Sequence, residues 1–215
     1  MAWRELSDLP FAAVLATHEG GLASAEQYEC AHFDGLTFEG GDAGGSGFVE
    51  CAFTQVSVQD AKLRRARFSD VLLRDVRLIA TSLAETGWAD VTFDSCVAAG
   101  VEAFAARLRR VTLRGCKLDS VNFRDAQLTD VTFENCVLKD VDFAGAALTR
   151  TAFPGCRLSG TDFSRVTLDK VDLRGAELGI IIDPPALRGA IVTTAQLLDM
   201  APLLAASLGI VVEDS

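Results

Sequence analysis

In the stretch TDVTFENCVLKDVDFAGAAL, residues 129–148, a large apolar side chain returns at every fifth position, at Phe133, Leu138, Phe143 and Leu148. A helix repeats its inward face near every 3.6 residues and a strand every second residue, so neither template produces this beat. It runs in one phase from Phe33 to Leu178, about thirty units, which marks an internal repeat array. Two residues before each centre stands a small or β-branched residue, as at Val111, Cys116, Val121, Ala126, Val131 and Cys136. The other three positions of each unit are rich in Asp, Arg, Thr, Ser, Asn and Gly, residues of turns and solvated surface. Each unit thus has two inward and three outward residues.

Such a chain winds as an all-β solenoid, each unit forming one side of a coil and each coil stacking on the next through backbone hydrogen bonds. Cys96, Cys116, Cys136 and Cys156 share the small inward position at intervals of twenty residues, which predicts four units per turn and one column of thiols. Stacked at ~4.8 Å, that column reads either as a packing ladder or as a metal or redox site. Absence of His or acid from the column favours the inert, structural ladder. Cys30 and Cys51 lie off it and no CxxC pair occurs, so reduced thiols are expected.

Two stretches weaken the predicted coil. EGGDAGGSGF, around residues 40–47, offers little to pack and predicts a loose or bulged first coil. In CVAAGVEAFAAR the centres are Ala98 and Ala103, and Phe104 stands at an outward position, either on a bulge or covering the gap the alanines leave.

The ends read differently. The apolar run of the N-terminal segment is too short for a signal peptide, which predicts a cytoplasmic protein. AQLLDMAPLLAASLGIVV contains Asp199 and Pro202 and lacks a basic flank, so it is not read as a membrane span. Thr193 and Gln196 have capping-box spacing, and Leu197, Met200, Ala201, Leu204, Ala205 and Leu208 then fall on one helical face that Gly209 ends. Pro202 inside this run predicts a kink and two short helices. Leu198 and Leu203 widen the apolar face beyond what covering one coil end requires, so the segment reads as a cap that also forms a dimer interface, the alternative being a cap alone. Pro184 and Pro185, with Leu187 and Val192 out of phase with Leu178, mark the boundary. Three segments are expected: an N-terminal cap (1–30), the repeat body (31–182) and the C-terminal capping and dimerisation segment (183–215).

Charge narrows the function. The net charge of −10 disfavours direct binding to nucleic acid phosphates. Residues 33–178 hold 21 acids and 18 bases, so most of the excess lies outside the rod. Sorting outward residues modulo twenty gathers Glu102, Asp140, Asp142 and Asp162 on one edge, with Asp119 beside them. A second edge gathers Arg74, Arg77, Arg114, Lys117, Arg157 and Arg174, with a minority of acids among them. With His18 and His32 as the only histidines and no GxGxxG, GxxxxGK[ST] or HExxH motif, neither an enzyme nor a metal or cofactor site is expected.

The units VNFRD AQLTD VTFEN CVLKD VDFAG AALTR resemble those of the pentapeptide repeat family, whose members form a right-handed quadrilateral β-helix. The tail LRGAIVTTAQLLDMAPLLAASLGIVVEDS resembles the ending of the family's mycobacterial quinolone-resistance branch at Gly189, Ala190, Val192, Gln196, Ala201 and Gly209. That resemblance implies a non-enzymatic homodimer that mimics duplex DNA and binds DNA gyrase or a related type II topoisomerase. Its partner-binding acidic edge would comprise Glu102, Asp119, Asp140, Asp142 and Asp162, and its dimer interface Leu197, Met200, Ala201, Leu204 and Leu208. Roughly 7.5 coils at ~4.8 Å make a rod of about 36 Å, and a tail-to-tail dimer of over ~70 Å. The competing reading is an interaction rod with no topoisomerase role.

Overall fold

A computed structural model of the chain describes residues 5–182 and 184–213. Its body is a parallel β-solenoid in which residue i pairs with residue i+20: Phe68 with Trp88, Trp88 with Leu108, Leu108 with Leu128, and Leu128 with Leu148. The four units of a coil build four faces. An 11-stranded sheet wraps the first two, and strands such as Arg67–Arg74, Gly87–Asp94, Arg107–Arg114 and Gln127–Glu134 run continuously around the corner between them. An 8-stranded sheet from Thr37–Glu39 to Glu177–Ile181 forms the third. On the fourth, each coil contributes a single bridge, linking Asp42, Lys62, Ser82, Glu102, Asn122, Asp142 and Asp162 in one column.

The five-residue period follows from the corners. Among the described residues, twenty-two that are not glycine adopt positive φ, all at positions divisible by five, so each unit ends in a left-handed residue that turns the chain onto the next face. That conformation costs about 1 kcal/mol for most L-residues and less for Asp or Asn, which explains the Asp and Asn at corners 60, 70, 130, 135 and 140.

Inside, the centres stack on their equivalents one coil away. Phe48 lies 4.7 Å from Phe68, Phe68 3.8 Å from Trp88, and Phe133 4.9 Å from Phe153, all with nearly parallel rings. Phe33, Phe48, Phe133, Phe143, Phe153 and Phe163 are fully buried.

Both irregular stretches differ from the sequence reading. Residues 40–47 keep the coil register: Asp42 bridges Lys62, Ala43 is buried, and positive φ at Gly40, Gly41 and Gly45 makes the turns. Residues 97–105 are regular too. Val97–Ala99 pairs with both neighbouring strands, Ala103 points inward, and Phe104 points outward with no bulge beneath it. Phe104 therefore does not cover the alanine gap, which persists inside as an apolar cavity of about 50 Å³ lined by Ala98, Ala103, Leu83 and Phe123.

At the N-terminal side, Ala16–Thr17 adds a rung to Ala31–Asp34, and Leu9 and Phe11 cover Ala52 and Leu72 on the second face. Near the other end the register slips by one residue, Thr161 pairing with Ile180. Gly189, at φ 90, comes so close to the preceding coil that a Cβ there would lie 2.0 Å from the Leu168 carbonyl oxygen, so only glycine fits.

Thr194–Ser207 then forms one 14-residue helix, correcting the expectation of two short ones. Pro202 leaves the Leu198 carbonyl without its helical donor. Leu198 is 67% exposed, so this turn of the helix lies open to solvent rather than packed against the rod. No helix is long and apolar enough to cross a membrane among the described residues.

Candidate protein-binding surface

Glu102, Asn122, Asp142 and Asp162 are consecutive rungs of the fourth-face column, so the repeat brings the predicted acids onto one side of the rod. Asp119 and Asp140 flank them at the corner where the third face turns into the fourth. Not all of this charge is free. Arg124 Nε lies 2.5 Å from Asp142, and Lys139 Nζ lies 3.0 Å from Asp119 and 3.7 Å from Asp140. The hydrogen bond from Lys139, followed by that from Ser120, holds the Asp119 carboxyl below its usual range. Glu102 and Asp162 form no ion pair among the described residues.

Part of the column serves the backbone. Asp142 accepts the Ala144 N–H at 2.8 Å, Asp162 the Ser164 N–H at 2.7 Å, and Asn122 the Arg124 N–H at 2.9 Å. These are Asx turns, in which a short polar side chain stabilises the following corner. The position therefore selects Asp or Asn for local geometry as well as for charge.

The edge of bases predicted from spacing is largely neutralised. Arg74 pairs with Glu5 and Asp75, Arg114 with Asp94 and Glu134, Arg157 with Glu177, and Arg174 with Asp172. Partners on adjacent coils stand at the same corner, where stacking at ~4.8 Å brings long side chains into contact.

A stronger anionic feature was missed. Between Arg4 and Lys62 the chain contains ten acids, Glu5 and Asp8 among them, and neither Lys nor Arg. This stretch builds the coils nearest the N-terminus, so the rod is electrostatically polar along its length. A scan of charge along the chain, instead of around the coil, finds it.

The thiol column is as expected in placement. Cys96, Cys116, Cys136 and Cys156 are buried, and each Sγ donates to a carbonyl 23 residues upstream, from Cys96 to Leu73 at 3.4 Å through Cys156 to Phe133 at 3.1 Å. Cys136 is pushed up to about 12, first by its hydrogen bond with Cys116 and then by burial, and Cys51 to about 11 by burial. Thiols so weakly acidic carry almost no thiolate at neutral pH. His18 packs against the rings of Tyr28 and Phe33, and His32 hydrogen-bonds Thr54.

At the opposite end the capping box forms as predicted: Thr193 Oγ1 accepts the Gln196 N–H at 3.1 Å, and Gln196 Oε1 accepts the Thr193 N–H at 2.9 Å. Gln196 also reaches the last coil, where Nε2 donates to the carbonyls of Leu173 and Ala176. Met200 and Leu204 are half-buried, whereas Leu197, Ala201 and Leu208 are exposed, Leu208 at 75%. Leu198, Leu203, Ile210, Val211 and Val212 extend this exposed apolar surface.

Five-residue units, one per face, wound four to a coil with left-handed corners, define a pentapeptide-repeat β-solenoid. The family model described as "Pentapeptide repeat region" matches residues 86–163 and 126–180, so these units of the solenoid are of the pentapeptide repeat type. No curated protein matches the chain significantly. Among solved structures, a trypsin-treated variant of QnrB1, a plasmid-mediated fluoroquinolone resistance protein, is similar at 21% identity. That match covers 92% of this chain and 96% of the other, with a TM-score of 0.43. A pentapeptide repeat protein from the Arabidopsis thaliana thylakoid lumen is 20% identical over 43% of this chain and 64% of its own, with a TM-score of 0.41. HetL, involved in heterocyst differentiation regulation in Nostoc, is 19% identical over 78% and 90%, with a TM-score of 0.31.

Proposed function

We propose that this protein is a non-enzymatic, cytoplasmic homodimer that binds DNA gyrase or a related type II topoisomerase in place of duplex DNA and alters its response to inhibitors such as quinolones. The observation that carries the reading is the rod's C-terminal end. A coil closed by Gln196 carries a helix whose Leu197, Leu198, Leu203 and Leu208 are exposed in the single chain. A second copy joined there would double the rod to over ~70 Å, about twenty base pairs of duplex. The tail's resemblance to the quinolone-resistance branch supports the same reading.

Charge sets how the mimic would work. The fourth-face acids, Glu102, Asp119, Asp140, Asp142 and Asp162, meet the basic DNA-binding groove of the topoisomerase, and the base-free N-terminal coils add a longer-range attraction. Because Asp142, Asp119 and Asp140 already pair with Arg124 and Lys139, binding exchanges intramolecular partners for intermolecular ones, and its affinity falls with salt.

A DNA supercoiling assay with purified gyrase, with and without a quinolone, tests this. Micromolar protein should inhibit supercoiling or protect gyrase from drug-induced cleavage, and the triple reversal of Asp140, Asp142 and Asp162 to Lys should weaken the effect at least tenfold. Neither inhibition nor protection up to micromolar protein would end the proposal.

A further inference from the structure

Nine arginines of the rod are held in ion pairs with carboxylates. Arg67, Arg107 and Arg109 are not, among the described residues, and all three lie together on the first face. Arg67, Gly87 and Arg107 occupy one column of paired residues, and Ser69, Ala89 and Arg109 the column two residues further on. All six project outward, because residues flanking an inward centre share one side of a strand. The coil between the arginines carries only a hydrogen and a methyl group there, so a groove of about 920 Å³ opens over Gly87 and Ala89.

The walls of this groove suit an anion. Arg67 and Arg107 stand two coils apart, ~9.6 Å between strands, leaving room for one phosphate hydrogen-bonded at ~2.8 Å from each guanidinium. The Arg67 side chain already leans over the floor, its Cγ 3.9 Å from where a Gly87 Cβ would stand. Arg109 adds a third fork on the same rung as Arg107. It reaches Asp90 and Asp130 only as a distant charge, since those carboxylates are paired with Arg110 and Arg150. Guanidinium groups clustered without counter-charges repel one another, and a bound oligoanion relieves that repulsion.

Two features define the rest of the ligand. Phe104, 41% exposed, stands at the groove's rim and offers a flat apolar face. Carboxylates close both sides: Asp70, Asp90 and Asp130 occupy the corner after Arg109's column, and Glu85 occupies the opposite rim, held by Arg64 and Arg65. Asp90 and Asp130 are paired with Arg110 and Arg150 and Glu85 with Arg64 and Arg65, so both rims are nearly neutral and the uncompensated positive charge is confined to a patch of compact-anion size on a molecule of net charge −10.

We propose that this groove binds a nucleoside phosphate, its phosphates held by Arg67, Arg107 and Arg109 and its base resting on Phe104. The site lies on a different face from the acids assigned to the topoisomerase and stands or falls separately from that reading.

Isothermal titration of the full-length protein with ATP, and separately with inorganic triphosphate, decides the matter. Both should bind, and Arg107→Gln or Arg109→Gln should each weaken both at least tenfold while leaving the thermal melt unchanged. Phe104→Ala should weaken ATP severalfold and leave triphosphate unaffected. Arg77→Gln and Lys117→Gln, at outward cations of the third face, should change neither. Absence of binding of either probe up to millimolar concentration, or equal losses in the third-face variants, would overturn the site. ATP binding indifferent to Phe104→Ala would overturn the nucleoside assignment, and tighter binding of a twenty-base-pair duplex than of ATP would overturn the compact ligand.

Discussion

Gln196 reaches the carbonyl of Leu173, 23 residues upstream, with a 2.8 Å hydrogen bond. The same step joins Cys116 to Phe93, Cys136 to Leu113 and Cys156 to Phe133. In each case the carbonyl of an inward centre, two residues before a corner, accepts a side-chain donor from the next coil or from the helix that follows the last one. At the end of the rod no further coil exists to supply a thiol, and the glutamine of the helix cap takes over. Gln196→Ala removes that donor, a second bond to Ala176 and half of the capping box. It should cost about 2–3 kcal/mol in urea denaturation, and a loss under about 0.5 kcal/mol would mean that water replaces the amide.

The void beside Ala98 and Ala103 is a local packing defect in the core. Its volume of about 50 Å³ corresponds to roughly 1 kcal/mol at about 24 cal/mol per Å³. Ala103→Val should recover most of that as a raised melting temperature. Ala103→Phe, although Phe123 and Phe143 occupy the same column, exceeds the space and should destabilise.

Dimerisation through the C-terminal helix predicts that Leu197→Glu combined with Leu208→Glu converts a dimer to a monomer by light scattering, with the β-sheet circular dichroism unchanged. Both side chains are exposed in the single chain, so their replacement leaves the coil core intact. A double variant that remains dimeric would move the interface elsewhere.

Stability should respond to pH in two opposing ways. Hydrogen bonds from arginine hold Asp90, Asp130, Asp172 and Glu177 below their usual values. Their contribution is present above the unfolded pKa, about 4, and is lost as pH falls through the folded values. Asp70 behaves oppositely: burial first, then the charges of Asp90 and Glu50, raises its pKa. Its charged form is disfavoured in the fold, so Asp70→Asn, which tolerates the corner's φ of 55°, should raise the melting temperature at pH 7. That gain should vanish as pH falls through the raised pKa and wild-type Asp70 becomes neutral.

Much of the fold was legible because the five-residue beat is a direct image of the geometry, with one inward centre and one left-handed corner per face. The Cys spacing supplied the coil length for the same reason. Contacts between coils were harder to read. Sorting residues modulo twenty placed Arg114 beside other bases, yet its neighbours one coil away are Asp94 and Glu134, so the apparent basic edge is mostly paired. The unpaired cluster around Gly87 emerges only when small outward residues are considered along with charged ones. Glycine and alanine counts misled in the other direction: left-handed corners make Gly40 and Gly45 suitable rather than disruptive, and neighbouring coils bridge a cavity without a bulge at Ala98. Pro202 was read from local backbone rules alone, which omit the solvent available to an exposed helix.

The base-free stretch from Glu5 to Ala61 has a consequence for assembly. A stack of parallel rungs presents unpaired backbone groups at its ends, a template onto which another chain's strands could add. Here the coils nearest the N-terminus of every molecule bear the same concentrated negative charge. Two such ends repel at separations up to a Debye length, ~8 Å at physiological salt, so head-to-head stacking into filaments is opposed. Under the proposed dimer, association would be left to the exposed apolar helix at the other end, where a two-fold contact closes at two copies.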